Sequence, residues 1–152
     1  MKAPDPIRLE WLGFADLPAA LLYELLRFRQ AIFVVEQRCA YPDLDGLDRR
    51  ARHLLLRSSE ALAGYLRLIP LETEARVAIG RVAVAVEMRH RGFARLMMTE
   101  ALACCRNDYR NCAVTLTGQT YLVPFYESLG FAATSAPFED YGLSHVRMVL
   151  KG

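Results

Sequence analysis

A chain of 152 residues has the usual size of one domain and can bury roughly two thirds of the surface its unfolded form exposes. Its composition, 53% hydrophobic and 24% charged, excludes disorder, and no apolar run approaches the ~18 residues that a membrane helix needs. The formal charge of +2 arises from 17 arginines and 2 lysines spread among 17 acids, whereas a nucleic-acid binder concentrates its cations on one face, so neither nucleic acid nor membrane is expected as a partner.

The opening residues lack the apolar stretch of a secretory signal, and a cytoplasmic location is expected. Residues 7–11 alternate apolar and polar as a half-buried first strand. Asp16 offers a helix N-cap with Pro18 in the first turn, and Leu21, Leu22, Leu25, Phe28, Ile32 and Phe33 recur at helical spacing, which predicts a helix over about 17–33. From Tyr41 to Arg52 the prolines, aspartates and Gly46 favour a solvated loop with room for one short helical turn. Residues 53–57 and 62–69 read as a hairpin, divided by the polar turn at Ser58, Ser59 and Glu60 and ended by Pro70.

Residues 76–84 are β-branched and long enough for a central strand. They lead into Arg89-His90-Arg91-Gly92-Phe93-Ala94 and a helix of about four turns beginning near Gly92. Residues 112–117 form a fifth strand, 121–129 a short helix with Gly130 at C′, and Phe131 onward with 145–150 the last strands. The order β-α-β-β-β-α-β-α-β-β implies a single α/β domain spanning 1–152, its mixed sheet carrying helices on both faces.

A strand that stops at a glycine turn and restarts as a helix leaves free N–H groups aimed at one volume, and the helix dipole adds about 0.3–2 kcal/mol of attraction for an anion there. Gly92 would let a diphosphate approach the main chain, with Arg89 and Arg91 adding charge from the rim. The four cysteines, Cys39, Cys104, Cys105 and Cys112, show no metal spacing and read as free thiols, so no metal is expected. Asp43-x-Asp45-Gly46-x-Asp48 lacks the spacing and final glutamate of an EF-hand and reads as a turn or as a lip of the acceptor pocket.

Arg89-x-x-Gly92-x-Ala94 after Val82-Ala83-Val84 resembles the pyrophosphate loop of GNAT acetyltransferases, and Gln119 followed by Phe125-Tyr126-Glu127-Ser128-Leu129-Gly130-Phe131 resembles that family's Phe-Tyr helix. The segments from Phe28 to Gln37 and Tyr41 to Asp48, Ile79-Gly80-Arg81-Val82, and Glu139-Asp140 with His145 narrow the resemblance to the ElaA-like branch. Gln119 and Leu122 depart from the family's usual Asn and Ala, and the fourth strand lacks its glutamate base.

The resemblance implies a GNAT acyl-CoA N-acyltransferase fold and direct transfer of an acetyl group from acetyl-CoA to a primary amine, on a small molecule or a peptide. It assigns the cosubstrate to Val82, Val84, Arg89, His90, Arg91, Gly92, Phe93, Ala94, Arg95, Gln119 and Tyr126, with Tyr126 protonating the leaving thiolate. Candidates for the base are Glu36 and His145, then His53, with Asp45 and Asp48 weaker because a turn-rich loop exposes them. Cys112, in a strand alternation, reads as a packed thiol and not as an acyl carrier. Competing readings are a catalytically silent acyl-CoA sensor or interaction module and an acyl-homoserine-lactone synthase-like acyltransferase. Retention of Tyr126 argues against the first, and the loop and Phe-Tyr helix argue against the second. Oligomeric state is left open, a homodimer included.

Overall fold

The computed structural model describes Ala3 and residues 5–152. Eight strands among the described residues form one sheet: β1 (Ile7–Gly13), β2 (Arg52–Ser58), β3 (Ala61–Leu71), β4 (Arg76–Val84), β5 (Ala113–Gln119), β6 (Phe131–Ala133), β7 (Phe138–Asp140) and β8 (Leu143–Leu150). They run in the order β1-β2-β3-β4-β5-β8-β6, with β7 also paired to β8. Every pairing is antiparallel except that of β4 with β5.

Helix α1 (Ala19–Arg29) covers one face, where Leu25 packs with Leu17, Leu55, Leu62 and Tyr65. Helices α2 (Phe93–Asp108) and α3 (Val123–Glu127) cover the other, where Met97, Met98 and Tyr126 pack with Leu54, Leu56, Leu66 and Ile79. Leu54 and Leu56 thus face one layer and Leu55 the other, which explains why Leu54-Leu55-Leu56 are apolar in succession and do not alternate.

Most boundaries shift by a few residues from the sequence reading, and four differences have a local physical cause. Asp16 closes a short turn, Phe14–Asp16, and the N-cap of α1 is Pro18, held extended at φ −61° and ψ 151°, with no side-chain cap bond. The same helix runs on past residue 33 as a π-helical turn, Gln30–Glu36, whose wider winding breaks the 3.6-residue period on which the expectation rested. β3 continues through Pro70, because its pairing with β2 ends at Leu68 and the missing N–H is not required beyond that point. A third C-terminal strand, β7, forms a hairpin with β8 through the two-residue turn Tyr141-Gly142, both at positive φ.

The cysteines are free. Among the described residues no helix is long and apolar enough to cross a membrane, and no cluster of three or more His, Cys, Asp or Glu side chains is placed to hold a metal ion.

Candidate active site

The site begins where two strands part. β4 and β5 pair from Arg76 opposite Ala113 to Ile79 opposite Leu116 and no further. Immediately beyond, the register of β4 on β3 slips by one residue, Gly80 lying opposite Arg67 and Ala83 opposite Tyr65, so that Arg81 and Val82 share one partner position. Arg81 takes φ 54°, the left-handed turn of a β-bulge, and a bulged strand bends. Because Ala85 donates its N–H to the Ala63 carbonyl, the alternation of peptide groups turns Val84 and Val82 away from β3 and into the gap.

The gap opens into a cavity of about 950 Å³, the scale of small-ligand sites. Its walls come from the end of β4, the start of α2, the end of β5, α3, the β7–β8 hairpin and the π-helical turn. His90, Gly92, Phe93, Ala94 and Arg95 all line it. Gly92 caps α2 at φ 81°, with no side-chain cap bond and nothing within 4 Å of the position a Cβ would take. Leu96 is the first residue of α2 to donate backward, to the Gly92 carbonyl, which leaves the N–H groups of Phe93, Ala94 and Arg95 for an anion. Arg95 is drawn aside, donating to Ser128 Oγ at 2.7 Å over the Phe125 ring, and the Arg91 guanidinium lies against Met88 Sδ at 3.9 Å.

Arg89 is not a free rim charge. Its guanidinium grips both oxygens of Glu36, at 2.7 and 2.8 Å, while its Nε donates to the Val84 carbonyl at 2.9 Å. Glu36, expected as a base, is therefore an ion-pair partner tying the π-helical turn to the loop before α2. The Arg89 hydrogen bonds hold its carboxyl below the usual carboxylate range, the wrong direction for a proton acceptor at neutral pH.

Tyr126 is 6% exposed and lines the cavity, yet its hydroxyl has no hydrogen-bond partner among the described residues and is not sealed from the cavity. Burial pushes it up to about 12, so it keeps its proton at any physiological pH. Phe125 and Phe131 meet the ring edge-on, and Gly118 of β5 lies so close beneath it that an added Cβ would stand 2.8 Å from a ring carbon.

His145, also in the cavity wall, is fixed by Nδ1 to the Leu143 carbonyl at 2.8 Å and stacks on Phe138, its cross-strand neighbour. A carbonyl can only accept, so Nδ1 carries the hydrogen and Nε2 of the neutral ring keeps its lone pair. Gln119, opposite His145, donates to Gln37 Oε1 at 3.2 Å.

The remaining base candidates lie elsewhere. His53 is fully buried between the Tyr65 hydroxyl and the Asp48 carbonyl, outside the cavity wall, and burial lowers its pKa. The aspartate loop is solvated along most of its backbone, with Asp45 exposed as expected, but Asp43 and Asp48 are buried, and none of the three acids lines the cavity. Asp43 takes Arg29 at 3.0 Å and Arg81 at 2.8 Å, Asp48 takes Arg29 at 2.6 Å and Arg67 at 2.8 Å, and Asp45 takes Arg67 at 2.5 Å and Arg81 at 3.4 Å. Three carboxylates and three guanidinium cations neutralise one another, and of the acids Asp45 alone stands exposed as the turn pattern predicts.

Sequence reasoning missed Gly118, Phe138, Tyr141 and Arg147, all in the cavity wall. The signal that finds three of them is the Tyr141-Gly142 turn: once it closes a hairpin, Phe138 must oppose His145, and Arg147 falls on the same face of β8.

A family model described as an Acetyltransferase (GNAT) domain matches residues 29–151. Protein ElaA of Escherichia coli strain K12 is 34% identical over 145 residues, 92% of this chain and 95% of that protein. The crystal structure of Escherichia coli ElaA matches with a TM-score of 0.90 at 33% identity, over 96% of this chain and all of the other. A UPF0039 protein of Schizosaccharomyces pombe is 38% identical over 140 residues, 91% of this chain and 93% of that one. The crystal structure of an acyl-CoA N-acyltransferase from Pseudomonas aeruginosa gives a TM-score of 0.89 at 32% identity, over 96% of this chain and 100% of that one.

Proposed function

The chain belongs to the GNAT acetyltransferase family, in its ElaA-like branch, and is thereby an acyl-CoA-dependent acyltransferase, and from that premise we propose that it moves an acetyl group from acetyl-CoA directly to a primary amine. It acts on this reading as a single cytoplasmic domain. The observation that carries the proposal is the Tyr126 hydroxyl, protonated and without a partner among the described residues, in a cavity formed where β4 and β5 separate.

The residues present fit such a donor. The open N–H groups at the start of α2 and the bare Gly92 suit a diphosphate, and the peptide groups of Val82 and Val84 that face the gap suit an extended amide arm. The Val84 carbonyl is engaged by Arg89, which leaves the N–H of that residue for the donor side. Bound there, the cosubstrate supplies a thioester. An N–H aimed at its carbonyl oxygen is typically worth roughly 3–4 kcal/mol in a dry site.

In the transfer the C–S bond breaks and a C–N bond forms. His145 Nε2 takes the proton of the incoming amine, and Tyr126 Oη gives its own to the departing thiolate. A lysine-like amine is only about one part in a thousand neutral at pH 7, and a fixed imidazole lone pair beside it serves that need. Glu36 acts through Arg89, holding the loop before α2 against the π-helical turn.

The test is release of free CoA thiol from acetyl-CoA against a panel of polyamines, aminoglycosides and amino-acid amides. Tyr126→Phe should lower kcat about tenfold or more with the acetyl-CoA Kd unchanged, and His145→Ala should remove the acid limb of the pH profile. Unchanged turnover in Tyr126→Phe would retire the acid. Binding of acetyl-CoA without turnover of any amine would favour a silent sensor.

A further inference from the structure

The face of the β7–β8 hairpin that borders the cavity carries an ordered row of side chains. Arg147 and His145 alternate along β8, about 6.6 Å apart by strand rise, and Phe138 stands opposite His145, with Asp140 one step further along β7. The Arg147 guanidinium lies over the Phe138 ring, 5.1 Å from its centroid, and the His145 ring stacks on the same Phe138, 6.1 Å away. One phenyl ring therefore holds the cation and the imidazole side by side.

Among the described residues neither Arg147 nor Asp140 has an ion-pair partner, although both line the cavity. This is unlike Arg29, Arg67 and Arg81, whose charges are consumed by the aspartate loop. Tyr41 and Tyr141, with ring centroids 5.8 Å apart, add an aromatic wall beyond.

Resting on the acetyltransferase reading above, we propose that the acceptor is a carboxylate-bearing primary amine of the α-amino-acid class with an apolar or aromatic side chain. Its carboxylate meets the Arg147 fork, its amine reaches His145 Nε2, and its side chain lies against Tyr41 and Tyr141. Asp140, on the far side of His145, attracts the ammonium form on arrival. A guanidinium already laid on Phe138 has lost much of its rotamer freedom before the ligand comes, which favours a bidentate grip on a planar carboxylate.

The experiment compares phenylalanine with phenylalaninamide as acceptors, two amines that differ only in the carboxylate. The amide has the more easily deprotonated amine, so a preference for the free acid cannot arise from basicity. The wild-type protein should favour phenylalanine by about tenfold or more in kcat/KM, the scale of one charge-assisted pair. Arg147→Gln should collapse that ratio toward one, and Arg147→Lys, which keeps the charge and loses the fork, should retain part of it. Melting temperatures of both variants verify that they are folded.

Equal use of the two acceptors by the wild-type protein, or equal losses for both in Arg147→Gln, overturns the acceptor class and leaves the transferase standing. Failure to acetylate any amine overturns both.

Discussion

The position of the Tyr126 ring over Gly118 allows the proposed acid to be displaced without being removed. In Gly118→Ala the new Cβ would stand 2.8 Å from one ring carbon and 3.1 Å from the next, with Leu116 Cδ1 at 3.3 Å closing the side. Carbon atoms rest at about 3.5–4.0 Å, so ring or strand must yield by roughly 0.7 Å or more. The ring has little room: Tyr126 is buried, with Phe125 and Phe131 edge-on against it.

Overpacking of this kind costs about 1–3 kcal/mol, a fall of roughly 2–12 °C in melting temperature for a chain of this length. A misplacement near 1 Å at a reacting group costs on the order of 100-fold, so kcat should fall about 10- to 100-fold while the Kd for acetyl-CoA, which the proposed reading assigns to α2 and the end of β4, is held. The decisive assay is a double-mutant cycle in kcat at saturating amine. In a Tyr126→Phe background, where the hydroxyl is already absent, Gly118→Ala should reduce kcat little further. An equal loss in both backgrounds would refute the argument, because the damage would then not pass through the hydroxyl.

The aspartate loop yields two further expectations. Asp48→Ala leaves Arg29 and Arg67 buried around a missing acid and should destabilise by about 3–5 kcal/mol, read from urea midpoints, while a loss below about 1 kcal/mol would show the cluster to be incidental. For Asp45, burial raises the carboxyl, but the Arg67 hydrogen bonds, the Leu47 N–H and the Arg67 and Arg81 charges outweigh it and hold the group at about 2, against 3.8 in the free side chain. A folded-state value below the unfolded one stabilises above the unfolded pKa and is lost as pH falls through the folded one. The denaturation midpoint should therefore hold down to about pH 4 and fall toward pH 2, with a contribution that solvent screening of the exposed Asp45 reduces to about 1 kcal/mol or less and that Asp45→Asn removes. Parallel acid profiles for the two proteins would contradict the assignment.

Periodicity and turn chemistry were sufficient for the sheet and its two covered faces, because strand alternation and the glycine before α2 are local signals. They placed β4 at its observed bounds, whereas Tyr126 and His145, which do reach one cavity, came from the resemblance of the segments around them to the GNAT family. Charge pairing was not legible. Whether Glu36 faces substrate or Arg89, and whether Asp48 faces water or Arg29, depends on residues 53 and 19 positions away in the chain. Turn propensity describes the backbone of the loop at Tyr41 to Arg52 correctly and says nothing of what its side chains meet. The π-helical turn escaped for a related reason, since a single wide turn shifts the phase of a helix without changing its composition.

That loop also bears on the cavity, although none of its aspartates lines it. A non-glycine residue at φ 54° is costly in isolation, and Arg81 is the residue whose left-handed turn shifts β4 out of register. Its guanidinium donates to Asp43 Oδ1 at 2.8 Å and to the Asp43 carbonyl at 3.0 Å, and it lies 5.3 Å from the centroid of the Tyr41 ring. Asp43 is held in turn by Arg29 of α1, which is wholly buried. The strained residue is thus over-determined from three sides, and the bulge it forms stands at the point where β4 and β5 cease to pair. An ion cluster that does little net work for stability, since buried pairs roughly offset their own desolvation, here acts on shape: it fixes the bend that opens the gap between the strands.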